Sequence, residues 1–159
     1  MIKKIVFGAV ALVAVLLLAA GVYTWNPLPK TPSSTVLAEA ASNYDVEIIR
    51  DTWGVPHIFG KTDNDAAFGL AYAHAEDDFE TIQETVAATR GVLARYKGAG
   101  AAPTDYLIEL LNVWDTIDER YESEVPADVK AYAQAYADGL NLYASENRDK
   151  AWTGLAPFK

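Results

Sequence analysis

No cysteine occurs among the 159 residues, which excludes disulfide stapling, thiolate zinc sites and thiol catalysis within this chain. Histidine is nearly as scarce. His57 and His74 are the only two, and their separation rules out the paired histidines that a helical zinc site needs four residues apart. Each reads as a structural hydrogen-bonding residue. Ser33, Ser34, Ser42, Ser123 and Ser145 are the only serines, and none stands in a G-x-S-x-G elbow or an S-x-x-K setting. No nucleophile is identified, and no catalytic, cofactor-binding or metal-ligating residue is assigned. Basic residues are also few: beyond Lys4 the chain carries 11 Lys and Arg against 22 Asp and Glu. That balance argues against a nucleic-acid partner. The acidic residues form no long single-sign run, so solubility accounts for most of them. Glu76-Asp77-Asp78 lacks the alternating oxygen ligands and mid-loop glycine of a calcium loop, and is read as helix-junction capping with salt bridges.

What the chain does have is a long apolar run at its start. Lys3 and Lys4 precede an uncharged stretch from Ile5 to Trp25, the pattern of a positive n-region and an apolar helix. At about 1.5 Å per residue, some 20 residues cover the ~30 Å hydrocarbon core. Residues 1–25 are therefore expected to be a signal peptide or a transmembrane anchor through residues 5–25. The basic residues hold the amino end inside, so the body faces the periplasm, or is released there or secreted after cleavage. Leu18-Ala19-Ala20-Gly21 resembles a lipoprotein processing site without its cysteine, and Ala38-Glu39-Ala40 fits an A-x-A rule. Cleavage and retention both stay open. Residues 26–43, rich in Pro and Ser, are expected to form a linker.

Val46 to Asp51 and Val55 to Phe59 read as two strands of a hairpin around Thr52-Trp53-Gly54, with Gly54 supplying a positive φ and Pro56 at a strand start. Arg50 and Asp51 flank the turn and are expected to pair with each other. Thr62 or Asp63 caps a helix over about 64–76, whose many alanines and Gly69 let another element approach its backbone closely. A second helical stretch is expected to run to Tyr96, with a kink or a close contact near Gly91 in its interior. Thr104 is expected to cap a helix striped by Leu107, Leu110, Leu111, Trp114, Ile117 and Tyr121. Pro126 opens another helix, striped by Val129, Ala133, Tyr136, Leu140 and Tyr143. One hairpin cannot cover so many helical faces, which points to a piece of a larger α/β body.

Ile49-Arg50-Asp51-Thr52-Trp53-Gly54-Val55-Pro56-His57-Ile58 resembles the opening signature of the penicillin acylase (penicillin amidase) family of N-terminal-nucleophile hydrolases. Asp65 to Phe79 resembles the family's next segment. Arg90-Gly91-Val92-Leu93-Ala94 with Gly98 resembles a third, and Tyr136-Ala137-Asp138-Gly139-Leu140-Asn141 its Tyr-x-x-Gly-x-Asn segment. The variant Asp77-Asp78 looks closer to the cephalosporin and acyl-homoserine-lactone acylase branches. The resemblance implies that residues 44–159 are an incomplete small (alpha) subunit portion, mostly helical with one amino-terminal hairpin, of an αββα sandwich. It implies an exported acylase hydrolysing a linear amide, made as a precursor that cuts itself, with a large (beta) subunit from the same precursor as partner. Its nucleophile, and the family's calcium ligands and acyl-pocket residues, would lie beyond Lys159, so no cofactor is assigned here. The alternative is a membrane-tethered helical interaction module without catalysis.

Overall fold

The computed structural model describes residues 2–25 and 33–158, which divide into two compact units, Met1–Lys30 and Thr31–Lys159. The first holds a single helix, α1 (Ile2–Trp25). Among the described residues no helix is long and apolar enough to cross a membrane, so the transmembrane expectation for residues 5–25 finds no support. Within α1 the side chains are described continuously over residues 11–21. The rest of the expected span lies outside the described side chains.

In the second unit the order is α2 (Ser34–Ala41), β1 (Val46–Arg50), β2 (Pro56–Gly60), α3 (Asp63–Thr89), α4 (Ala94–Lys97), a 3₁₀ turn (Ala99–Ala101), α5 (Ala102–Leu110), α6 (Val113–Glu124) and α7 (Ala127–Glu146). The expected linker is thus in part helical. Residues 26–32 lie outside the described residues, but Leu37 of α2 is buried, and α2 packs on α7. Its Val-Leu-Ala-Glu-Ala-Ala sequence forms helix readily once an apolar partner is available.

β1 and β2 pair antiparallel with Ile48 opposite Ile58 and Arg50 opposite Pro56. Alternation along each strand turns Val46, Ile48 and Ile58 toward α3 and leaves Ile49 and Phe59 exposed. The approach is close because α3 carries Gly69 there: a Cβ on Gly69 would stand 2.6 Å from a Val46 methyl and 2.9 Å from an Ile58 methyl. At the start of α3, Thr62 accepts from the Asp65 N–H at 3.2 Å while Asp65 accepts from the Thr62 N–H at 2.9 Å, a closed capping box. The other Asp65 oxygen accepts the Asp45 N–H at 2.9 Å, so one buried carboxylate ties the helix start to the chain entering β1.

The core lies between α3 and α7. Ala71, Ala75, Phe79, Ile82 and Ala87 of α3 meet Ala137, Leu140, Tyr143 and Ala144 of α7, with Leu155 and Phe158 closing the end. Phe79 packs edge-on to both Tyr143 and Phe158. A Cβ on Gly139 would overlap the Phe68 carbonyl oxygen and approach the Ala71 methyl to 2.9 Å, so only glycine permits this spacing. The stripe expected on α7 is right toward its carboxyl end, where Leu140 and Tyr143 are buried. Val129 and Ala133 are exposed, whereas Ala131 and Tyr132 are the residues of this turn that stand beside the start of α3.

The junction expected after about residue 76 is present: α3 breaks at Asp78, where φ is −151° and ψ 65°, and restarts with Asp78 accepting the Thr81 N–H at 3.2 Å. Two other helix boundaries differ from expectation. Gly91 is not interior: α3 ends at Thr89, and Gly91 takes φ +66° just past the Arg90 cap. Its N–H donates to Ala88 O and that of Val92 to Ala87 O, the paired closing bonds of a Schellman motif that glycine accommodates without Cβ strain. Finally, the long amphipathic helix is two. α5 opens at Ala102 with Pro103 in its first turn, so Thr104 lies inside the helix rather than at its cap, and Asn112 in the left-handed region (φ 51°) separates α5 from α6. Leu107, Leu110, Leu111, Trp114 and Ile117 remain exposed. The sheet is two-stranded, so no four-layer αββα sandwich is formed among the described residues, and the chain is mostly helical with one hairpin.

Candidate functional site

The first two motifs converge at the hairpin turn. Asp51 Oδ1 accepts the N–H groups of Trp53 and Val55 at 2.8 and 2.9 Å, and Gly54, at φ +83°, returns the chain. The Val55 and Trp53 amides hold the Asp51 carboxyl below its usual range. Asp51 Oδ2 stands 3.7 Å from His57 Nε2. Arg50 does not pair with Asp51, because that carboxylate is already committed to the turn. Its guanidinium crosses to α3: Nη1 donates to Gly54 O at 2.7 Å and meets Asp77 Oδ1 at 2.9 Å, while Nη2 reaches Ala73 O at 3.3 Å and Glu76 Oε2 at 3.0 Å. A rigid fork of donors suits this four-way contact as a lysine would not. Glu76 and Asp77 thus serve ion pairing and Asp78 serves capping, as their sequence setting suggests. Trp53 projects from the turn with 88% of its surface exposed, beside an open cleft of about 680 Å³ lined by Arg50, Val55, Pro56, Glu76 and Asp77.

The remaining candidate groups are occupied locally. His74 Nδ1 lies 3.0 Å from the Tyr136 hydroxyl, whose pKa burial pushes up. Ser42, Ser123 and Ser145 each donate to a carbonyl three residues earlier, and Ser33 accepts the Val36 N–H. Among the described residues no group of three or more His, Cys, Asp or Glu is placed to hold a metal ion. The arrangement can fix shape and bury charge, and the hydrogen bonds of Ser33, Ser42, Ser123 and Ser145 go to main chain rather than to a histidine or carboxylate.

A second cluster, which sequence reasoning passed over, holds residues 150–158. Gln83 Nε2 donates to Lys150 O at 3.1 Å and Gln83 Oε1 accepts the Trp152 N–H at 2.6 Å. Arg90 Nη1 and Nη2 donate to Leu155 O at 2.6 Å and Pro157 O at 3.0 Å. Asn141 Nδ2 donates to Phe158 O at 2.9 Å, and its Oδ1 accepts the Phe158 N–H at 2.8 Å. Gln83 and Asn141 are buried, and burial lowers the Arg90 pKa. The one available signal was Arg90 and Asn141 inside family-like motifs; Gln83 stands in none.

Comparison with known proteins gives a consistent result. The Penicillin amidase family model matches residues 45–159. The acyl-homoserine lactone acylase QuiP of Pseudomonas fluorescens is 35% identical over 153 residues, covering 94% of this chain and 18% of that protein. The penicillin acylase 2 proenzyme of Pseudomonas sp. is 30% identical over 112 residues, covering 70% of this chain and 14% of the relative. Among solved structures, a thermostable penicillin G acylase from Alcaligenes faecalis superposes with a TM-score of 0.58 at 26% identity, covering 67% of this chain and 56% of that one. The chain therefore spans less than a fifth of the length of the curated relatives it matches.

Proposed function

The chain belongs to the penicillin amidase family, and from that premise we propose that it is the amino-terminal, alpha-subunit portion of an exported acylase that hydrolyses linear amides. The observation that carries this reading is the joint one of sequence and geometry. The motif residues build a hairpin clamped onto a helix, and they include no serine or cysteine. A scaffold of this kind needs its chemistry supplied by another part of the polypeptide. In the proposed reaction a hydroxyl or thiol at the start of the beta subunit attacks the amide carbonyl, its own α-amine taking the proton. The amine product leaves, and water then releases the acid from the acyl-enzyme. Export is supported by Lys3 and Lys4 before the apolar run, and by a relative's 94% coverage, which reaches into that run.

The substrate classes are those of the relatives: N-acyl-homoserine lactones, or β-lactams with an amide-linked side chain. The test is to express the full gene product and assay release of the free amine from both. Amine release from either class, by a protein isolated as two chains, is the expected result. A folded, unprocessed protein inactive on both would overturn the proposal.

A further inference from the structure

Gln83, Arg90 and Asn141 lie on two different helices or their caps, yet all three spend their hydrogen-bonding capacity on the main chain of one irregular stretch. Each makes two bonds to it, at 2.6 to 3.1 Å. Between them they meet the carbonyls of Lys150, Leu155, Pro157 and Phe158 and the amides of Trp152 and Phe158. A segment without helix or strand partners has no other way to satisfy these groups when buried. Arg90 is the most telling member. Its half-buried charge is bonded to two carbonyls and to no carboxylate, an arrangement whose desolvation cost is justified only if those carbonyls must be held. Leu155 and Phe158 are seated alongside, 2% and 4% exposed.

We infer that Gln83, Arg90 and Asn141 form a cradle that fixes the main chain of residues 150–158 against α3 and α7, and that self-cleavage of the precursor depends on this placement. The second part rests on the acylase reading. The three are positioning residues and touch no reacting atom.

The test uses the full-length precursor, wild type and with Asn141→Leu, Arg90→Lys or Gln83→Leu. Each leaves main-chain groups of 150–158 without their partners, and Lys cannot span two carbonyls as the guanidinium fork does. Hydrogen exchange at Trp152 and Phe158 should accelerate by about tenfold or more, while core amides such as Leu140 keep wild-type protection. The half-time of self-cleavage should lengthen by a comparable factor. Uniformly faster exchange would mark the residues as ordinary core and overturn the proposal. So would local release with cleavage at the wild-type rate. If the wild-type precursor does not cleave itself, the acylase reading fails, and exchange alone decides whether the cradle exists.

Discussion

Replacing Gly139 by alanine sets two effects of opposite sign against each other. Alanine in a helix interior is favoured over glycine by about 1 kcal/mol, so on propensity α7 should gain. The added Cβ, however, would overlap the Phe68 carbonyl oxygen and sit 2.9 Å from the Ala71 methyl. The first obstacle is backbone of another helix and cannot rotate aside. Relief requires α3 and α7 to separate along the face that buries Ala71, Leu140 and Tyr143, and overpacking of a tight core costs about 3 kcal/mol at the upper end of its usual range. The net expectation is destabilisation by about 2 kcal/mol, or a fall in Tm of about 6–10 °C for a unit of this size. Thermal unfolding of the 159-residue chain followed by far-ultraviolet circular dichroism measures it. Gly100→Ala is the control, since a Cβ there meets nothing within 4 Å and should change stability by less than about 0.5 kcal/mol. If Gly139→Ala proved as stable as wild type, the close α3–α7 contact would be refuted.

Two expectations concern pH. Asp65 is held below its usual range by the Asp45 amide and by Thr62, and Asp51 by the Val55 and Trp53 amides. A depressed folded pKa contributes stability above the unfolded value near 4, lost as pH falls through the folded value. Stability should therefore decline on acidification from about pH 5, and Asp65→Asn should flatten that decline in urea titrations at pH 7 and pH 4. Tyr44 and Tyr72 are pushed upward by burial and by Asp138 and Glu146 respectively. Their contribution is complete below the unfolded value near 10 and is lost at higher pH as the folded phenols ionise. Phenolate absorbance should show these two titrating later than the exposed tyrosines, and Tyr44→Phe should remove one late proton.

The hairpin, its tight turn and the start of α3 were legible because their signals are local. Gly54 between two alternating runs, and Thr62 three residues before Asp65, act within a few residues of one another. The alanine- and glycine-rich face of α3 announced a close approach as well, and Gly69 receives it from Val46 and Ile58. Other features depended on distant partners. Arg50 reads from the local sequence as the partner of Asp51, although three of its four contacts lie on α3. The apolar period from Leu107 to Tyr121 ran through Asn112, whose left-handed conformation leaves no trace in hydrophobic spacing. α2 was hidden by the Pro/Ser-rich stretch before it, because eight residues of weak amphipathicity fold as helix only with α7 beside them. The cradle around residues 150–158 was invisible for the same reason: its bonds join residues separated by 17 to 69 positions.

On the proposed reading this chain supplies framework while the covalent chemistry resides elsewhere in the polypeptide. The most direct measurement treats the full-length enzyme with an amide substrate that forms a slowly hydrolysed acyl-enzyme, then locates the acyl group by peptide mass mapping. The adduct should fall on a residue beyond Lys159, at the amino terminus of a second chain. An adduct on any side chain within residues 1–159 would contradict the claim.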